Sequence, residues 1–299
     1  MKNLLKRITV FTLFVATSGI LASCEKDASK KKKTSVPSSG TTTTTTTTNP
    51  ISTTTPLSTL SVNWDGRVDG LYTYTQAALD FPVTSFWGGD GVRSQLSGGR
   101  LRTTLAANKL GGEGGVISRV DVTDGTEYQL QFDMMFDQNF DFSWGGKVGF
   151  GFLIGNGYTG GVPGTDGNGG SFRVMWQKAT STSPMVLKPY VYHKDQPGTY
   201  GNDFGKKFPA DGSSIQKGVW YNVKMYMKSN TGYNTDGRIR LVINGLTVMD
   251  QSIRWTTNDL NRAVKNVCFE TFRGGAETYW QSATNGDIYF DNVSWSRLQ

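Results

Sequence analysis

Between residues 145 and 192, apolar side chains occupy every second position in three runs, a period that fits β-strands and excludes helices. In WGGKVGFGFLIG, Val148, Phe150, Phe152 and Ile154 share one face, and Lys147, Gly149, Gly151 and Leu153 share the other. In SFRVMWQ, Phe172, Val174 and Trp176 alternate with Ser171, Arg173 and Met175; in PYVYHK, Tyr190 and Tyr192 oppose Val191 and His193. A lysine on a face otherwise cleared by glycines reads as a floor that another molecule approaches closely. With the apolar partners turned to a core, Lys147, Ser171, Arg173, Tyr190 and Tyr192 are left on one shared outer surface.

The same period recurs along the chain. Tyr128, Leu130, Phe132, Met134 and Phe136 alternate with polar neighbours, and Tyr221, Val223, Met225 and Met227 form the inward set of another strand. Asn244-Gly245 between two such runs predicts a tight I′ hairpin. In GDIYFDNVSW the phase slips at Asp291-Asn292, as at a bulge. No stretch sustains a helical period; residues 257–265 allow a short helix at best. Many short strands without a βαβ rhythm predict an all-β fold, an antiparallel two-sheet sandwich of jelly-roll, concanavalin-like type with a concave groove.

Charge is unevenly placed. Eight of the 31 Lys/Arg and two of the 24 Asp/Glu lie in residues 1–60, so the rest of the chain carries 23 bases and 22 acids. A nearly neutral domain is a poor nucleic-acid binder, and none is expected as a partner. Lys2, Lys6 and Arg7 precede an apolar run over about residues 8–20, too short to span a bilayer comfortably. It ends in Leu21-Ala22-Ser23-Cys24, which resembles the lipobox of bacterial lipoproteins; an ordinary secretory signal with a chance cysteine is the competing reading. The resemblance implies a signal peptide over 1–23, lipidation of Cys24, and a membrane-anchored protein facing the periplasm or the cell surface. Residues 24–60, with a lysine run and eight consecutive threonines, then form a disordered tether, and 61–299 form the domain, expected to be a monomer. Cys268, in an apolar run, is expected as a buried free thiol.

A single histidine leaves little material for a zinc site or a Ser-His-Asp triad, and no phosphate-binding loop follows a strand. No metal or cofactor is expected. A sandwich glycosidase needs two carboxylates on one groove, and the face around Lys147 and Tyr190 offers none; Asp133 and Asp137 read as solvated strand residues. Lys, Arg and Tyr together suit β-elimination from a uronic-acid polymer. Cations neutralise the uronate carboxylate, a base takes the adjacent proton, and an acid protonates the leaving glycosidic oxygen. Lys147 and Arg173 are the expected carboxylate partners; of Tyr190 and Tyr192, their pKa lowered by those charges, one is the expected base and the same or the other the acid. Lys147 as the base stays open. Trp144 and Trp280 are candidate platforms for sugar rings, and His193 is expected to be structural.

The segments GGK (145–147), GGSFRVMW (169–176), YVYH (190–193), GVWY (218–221), DGRIRLVINGL (236–246), FETFRGG (269–275) and YFDNV (289–293) together resemble the family-14 polysaccharide lyases. That resemblance covers most of 140–297. It implies a jelly-roll lyase of alginate, glucuronan or a similar polyuronate, with Lys147, Tyr190 and Tyr192 catalytic and Ser171 and Arg173 in contact with substrate. A carbohydrate-binding lipoprotein without catalysis is the alternative, and an adhesion protein on a Thr-rich stalk a third reading.

Overall fold

The computed structural model describes residues 57–82, 84–88 and 91–299. The signal peptide, Cys24 and nearly all of the expected tether lie outside the described residues.

The chain forms β1 (Thr59–Val62), β2 (Gly70–Leu71), α1 (Tyr74–Asp80), β3 (Thr84–Trp87), β4 (Ser94–Leu96), β5 (Leu101–Leu105) and α2 (Gly111–Gly114). Long strands follow: β6 (Val116–Gly125), β7 (Glu127–Phe136), β8 (Gly145–Lys147), β9 (Phe150–Gly155), β10 (Gly169–Gln177) and β11 (Val186–Tyr192). The last are β12 (Trp220–Lys228), β13 (Gly237–Ile243), β14 (Leu246–Ile253), β15 (Val264–Arg273) and β16 (Gly286–Arg297).

One antiparallel sheet runs β14-β13-β12-β7-β16-β5-β4-β2, with β1 also on β16. The other runs β11-β10-β8-β15-β6-β3, and β9 continues the line of β8 between β10 and β15. Their inner faces meet through aromatic rings: Phe150 lies 5.5 Å from Phe132 and 6.3 Å from Phe290, and Phe269 lies 5.0 Å from Phe290. Each such ring, fully buried, contributes roughly 1.5–3 kcal/mol by leaving water. Phe132 and Phe150 are among the residues that the two-residue period turned inward, and the sandwich forms as expected.

Local signals hold as well. Asn244 and Gly245 both take positive φ, at 50° and 79°, and Ile243 pairs with Leu246 across the turn. The register between β16 and β7 shifts between Asp291 and Ser294, where Asn292 has a φ of 50°. Cys268 is buried and free.

Three expectations change. Helix α1 escapes a periodic reading because it is two turns long and buries only Ala77; it is capped by Gln76 Oε1, which accepts the Thr73 backbone N–H at 2.7 Å. The segment 257–265 holds a 3₁₀ turn at Asp259–Asn261. Gly149 is not part of an outer floor: at φ 78° it breaks the strand between β8 and β9, and a Cβ there would lie 2.4 Å from the core ring of Phe132.

Candidate active site

Strand register assembles the site. Tyr190 on β11 pairs with Arg173 on β10, and Tyr192 with Ser171. Met175 pairs with both Lys188 on β11 and Lys147 on β8. The outer face of the second sheet therefore brings together all five residues that alternation assigned to it, and adds Lys188.

Lys147 is half-buried, and its Nζ sits 4.4 Å from the centroid of the Tyr190 ring and 5.8 Å from that of Phe272. Burial, reinforced by the charge of Arg173, pulls its pKa down to about 8, against an opposing pull from Glu270. Tyr190 is half-buried, and Gly201 lies flat against it: a Cβ at Gly201 would sit 2.9 Å from the ring. Burial and the hydrogen bond shared with Tyr192 push the Tyr190 phenol up, opposite to the lowered value expected from nearby cations. Desolvation outweighs the Arg173 charge, so Tyr190 stays protonated at neutral pH.

Arg173 lies deeper than a solvent-facing strand residue. Its side chain is 4% exposed, lies across Gly151, and donates from Nη1 to Glu270 Oε2 at 2.6 Å. Burial works against its charge, and the Glu270 carboxylate more than offsets this, so the guanidinium stays charged. Its Cζ stands 5.3 Å and 5.4 Å from the ring centroids of Tyr190 and Tyr192. Nε and Nη2 have no hydrogen-bond partner among the described residues. Arg173 is thus held beneath the two tyrosine rings by its pair with Glu270. The face also does hold a carboxylate, Glu270, which alternation did not reveal.

Ser171 and Tyr192 are fully buried and tied to the glycine-rich loop that follows β9. Ser171 Oγ donates to the carbonyl of Tyr158 at 2.7 Å, and the Tyr192 hydroxyl accepts the Gly161 N–H at 3.0 Å. The Tyr190 and Tyr192 hydroxyls are 3.5 Å apart. Of the two tyrosines, Tyr190 is the one presented outward; Ser171 and Tyr192 anchor the loop.

The tryptophans flank the other end of β8. Trp144 packs edge-on to Tyr279 at 5.1 Å, with Lys178 Nζ 5.3 Å from its ring, and Trp280 stacks on Tyr279 at 5.9 Å. Both are half-buried and close to Gly145, whose added Cβ would lie 3.1 Å from the Trp280 ring. His193 is structural as expected. It is buried, stacks on Phe204 at 5.3 Å, contacts Asn202 Nδ2 at 3.2 Å, and burial pulls its pKa down to about 4. Asp133 belongs to the other sheet, where it accepts from Asn222 and Asn292, and Asp137 is bound to the Asn139 N–H. A depression of about 300 Å³ on that sheet's outer face, lined by Gln129, Gln131, Lys224 and Arg240, holds no buried titratable group to match Lys147 and Arg173.

Fold and site together define a β-sandwich of carbohydrate-active type whose outer face gathers a half-buried lysine amine and a phenol. The sequence profile of the polysaccharide lyase 14 family matches residues 105–293. The chain is 52% identical to the solved alginate lyase Aly36B, with a TM-score of 0.79 over 82% of this chain and 99% of that one. The marine alginate lyase from Aplysia kurodai shares the fold, with a TM-score of 0.59 at 19% identity over 82% of this chain and all of that one. Exolysin of Paramecium bursaria Chlorella virus 1 is 30% identical over 167 residues, which is 49% of this chain and a quarter of that protein. The chain belongs to the polysaccharide lyase 14 family, and it is a polysaccharide lyase.

Proposed function

We propose that this protein cleaves alginate or a closely related polyuronate by β-elimination, with Lys147 as the base and Tyr190 as the acid. The observation that carries the assignment is the half-buried Lys147 amine, pulled down to about 8 and standing 4.4 Å from the centre of a phenol ring pushed the other way. Two neighbouring titratable groups with opposed tendencies are suited to acid and base roles. The neutral amine takes the proton from the carbon bearing the carboxylate, and the electron pair is held as the dianionic intermediate. The pair then forms the carbon–carbon double bond as the bond to the glycosidic oxygen breaks, and the Tyr190 hydroxyl gives that oxygen its proton. The proton on Lys147 returns to the Tyr190 phenolate, which restores the site without a net change.

Arg173, paired to Glu270 beneath the rings, and Lys188, whose Nζ lies 2.9 Å from Asp203, supply positive potential to the developing charge. The substrate class is supported by solved complexes of Aly36B variants with alginate tetrasaccharide and trisaccharide, each 51% identical to this chain.

Mass spectrometry of the products, with Tyr190→Phe and Tyr192→Phe compared, tests this reading. Elimination leaves unsaturated ends with no added water. Tyr190→Phe is expected to lower kcat by roughly 10²–10⁴-fold with KM little changed, whereas Tyr192→Phe, which loses a loop tether, lowers it far less. Hydrated ends, or equal losses in the two variants, would refute it. Polymer that is retained on the protein but never cut would favour a binding module instead.

The motif Leu21-Ala22-Ser23-Cys24 supports a lipid anchor on Cys24 and placement at the periplasmic or outer face of a bacterial membrane. Labelled palmitate should enter the wild-type protein and not Cys24→Ser; equal labelling would exclude that anchor.

A further inference from the structure

Glu270 lies in the FETFRGG segment, but its partner is 97 positions away, so the sequence around it does not show what it does. In the fold it stands on the outer face of β15, opposite Ile117 of β6, and is 4% exposed. The charged and titratable groups facing Lys147 are Arg173 from β10, Lys188 and Tyr190 from β11, and Glu270 from β15. Phe272, also on β15, closes the apolar side. Glu270 is the acid in this set, and Asp203 is engaged with Lys188.

Fold stability alone does not call for this pair. It lies outside the inter-sheet core, under Tyr190 and Tyr192, and leaves Arg173 Nε and Nη2 without partners among the described residues. A buried ion pair with unmet donors is a poor stabiliser compared with apolar packing of the same volume.

We propose that Glu270 is a positioning residue of the lyase reaction: its carboxylate holds Arg173 flat beneath the two tyrosine rings and supplies the negative charge that offsets Arg173 and Lys188 at the Lys147 amine. The inference rests on Lys147 being the proton carrier. Without that carboxylate, two cations act on Lys147 unopposed, and its ammonium form becomes less favourable. The amine then sheds its proton at lower pH, and the activity gained with rising pH begins earlier. Glu270→Gln isolates the charge, because its amide oxygen can still accept from Arg173 Nη1. Glu270→Asp keeps the charge and draws it back from Arg173.

The experiment follows the Lys147 side-chain carbon by NMR in lysine-labelled protein, assigned by its loss in Lys147→Met, beside the pH profile of kcat/KM on polymannuronate. In Glu270→Gln the Lys147 midpoint and the acid limb should both move down by about one pH unit, a roughly tenfold change in protonation constant. In Glu270→Asp the midpoint should stay near about 8 while kcat falls. An unmoved Lys147 midpoint in folded Glu270→Gln overturns the proposal. If Glu270→Gln does not fold, a Glu270→Asp midpoint displaced as far as one unit overturns it too, since that variant keeps the charge. A midpoint that moves while the acid limb stays fixed upholds the effect of Glu270 on Lys147 and refutes Lys147 as the base.

Discussion

The charge on Lys147 costs stability where it sits. An amine whose pKa is about 8 in the fold and 10.5 when unfolded takes up its proton more readily in the unfolded chain, so the charged form opposes folding. The penalty is full below about pH 8 and fades as pH rises toward about 10.5. Lys147→Met should therefore abolish turnover and yet stabilise the fold at pH 7, by about 1–3 kcal/mol once partial exposure is allowed for. Urea melts at pH 7 and pH 10 check this: the gain should shrink at the higher pH. A variant less stable than wild type at pH 7 would mean that the amine is satisfied where it sits.

At the scale of strands, the site depends on how closely β9 and β10 approach. Gly151 faces outward beneath Arg173, and a Cβ added there would lie 2.5 Å from the Phe172 carbonyl and 3.0 Å from Arg173 Cγ. Gly151→Ala should lift Arg173 away from Glu270, lower stability by about 1–3 kcal/mol, and cut kcat more than it raises KM. Thermal melts and initial rates measure both, and a variant indistinguishable from wild type would remove Gly151 from the account. Alternation made the strand faces of β7, β10 and β12 legible because period two needs no knowledge of partners. Burial of Ser171 and Tyr192 was not legible, since the loop after β9 folds onto them through Tyr158 and Gly161, and that of Arg173 was not, since it lies beneath the Tyr190 and Tyr192 rings. Glu270 and the inward turn at Gly149 were hidden for the same reason: each is defined by a contact far away in sequence, with Arg173 and Phe132 respectively.

For the molecule as a whole, two sheets pack through an aromatic interior, and β1 pairs with β16, which brings both ends of the described chain together. Acid sensitivity of this fold has an identifiable contributor. His193 titrates at about 4 when folded, against 6.5 for an ordinary imidazole. Protons bind the unfolded form more tightly, so its share of stability, up to about 3 kcal/mol, is lost as pH falls from about 6.5 and is gone by about 4. As the chain's single histidine, it gives one imidazole resonance by NMR, which should titrate near 4; a midpoint near 6.5 would place the ring in solvent.

The first step of the proposed elimination is removal of a proton by the Lys147 amine. Its most direct test is the initial rise in ultraviolet absorbance from the new double bond conjugated to the carboxylate, with polymannuronate, polyguluronate and glucuronan. Wild type and Lys147→Ala would be compared from pH 5 to pH 10. The wild-type rate should climb with pH through a midpoint near about 8 on at least one polymer, with no rise above buffer for Lys147→Ala at any pH. A Lys147→Ala rate within tenfold of wild type would contradict it.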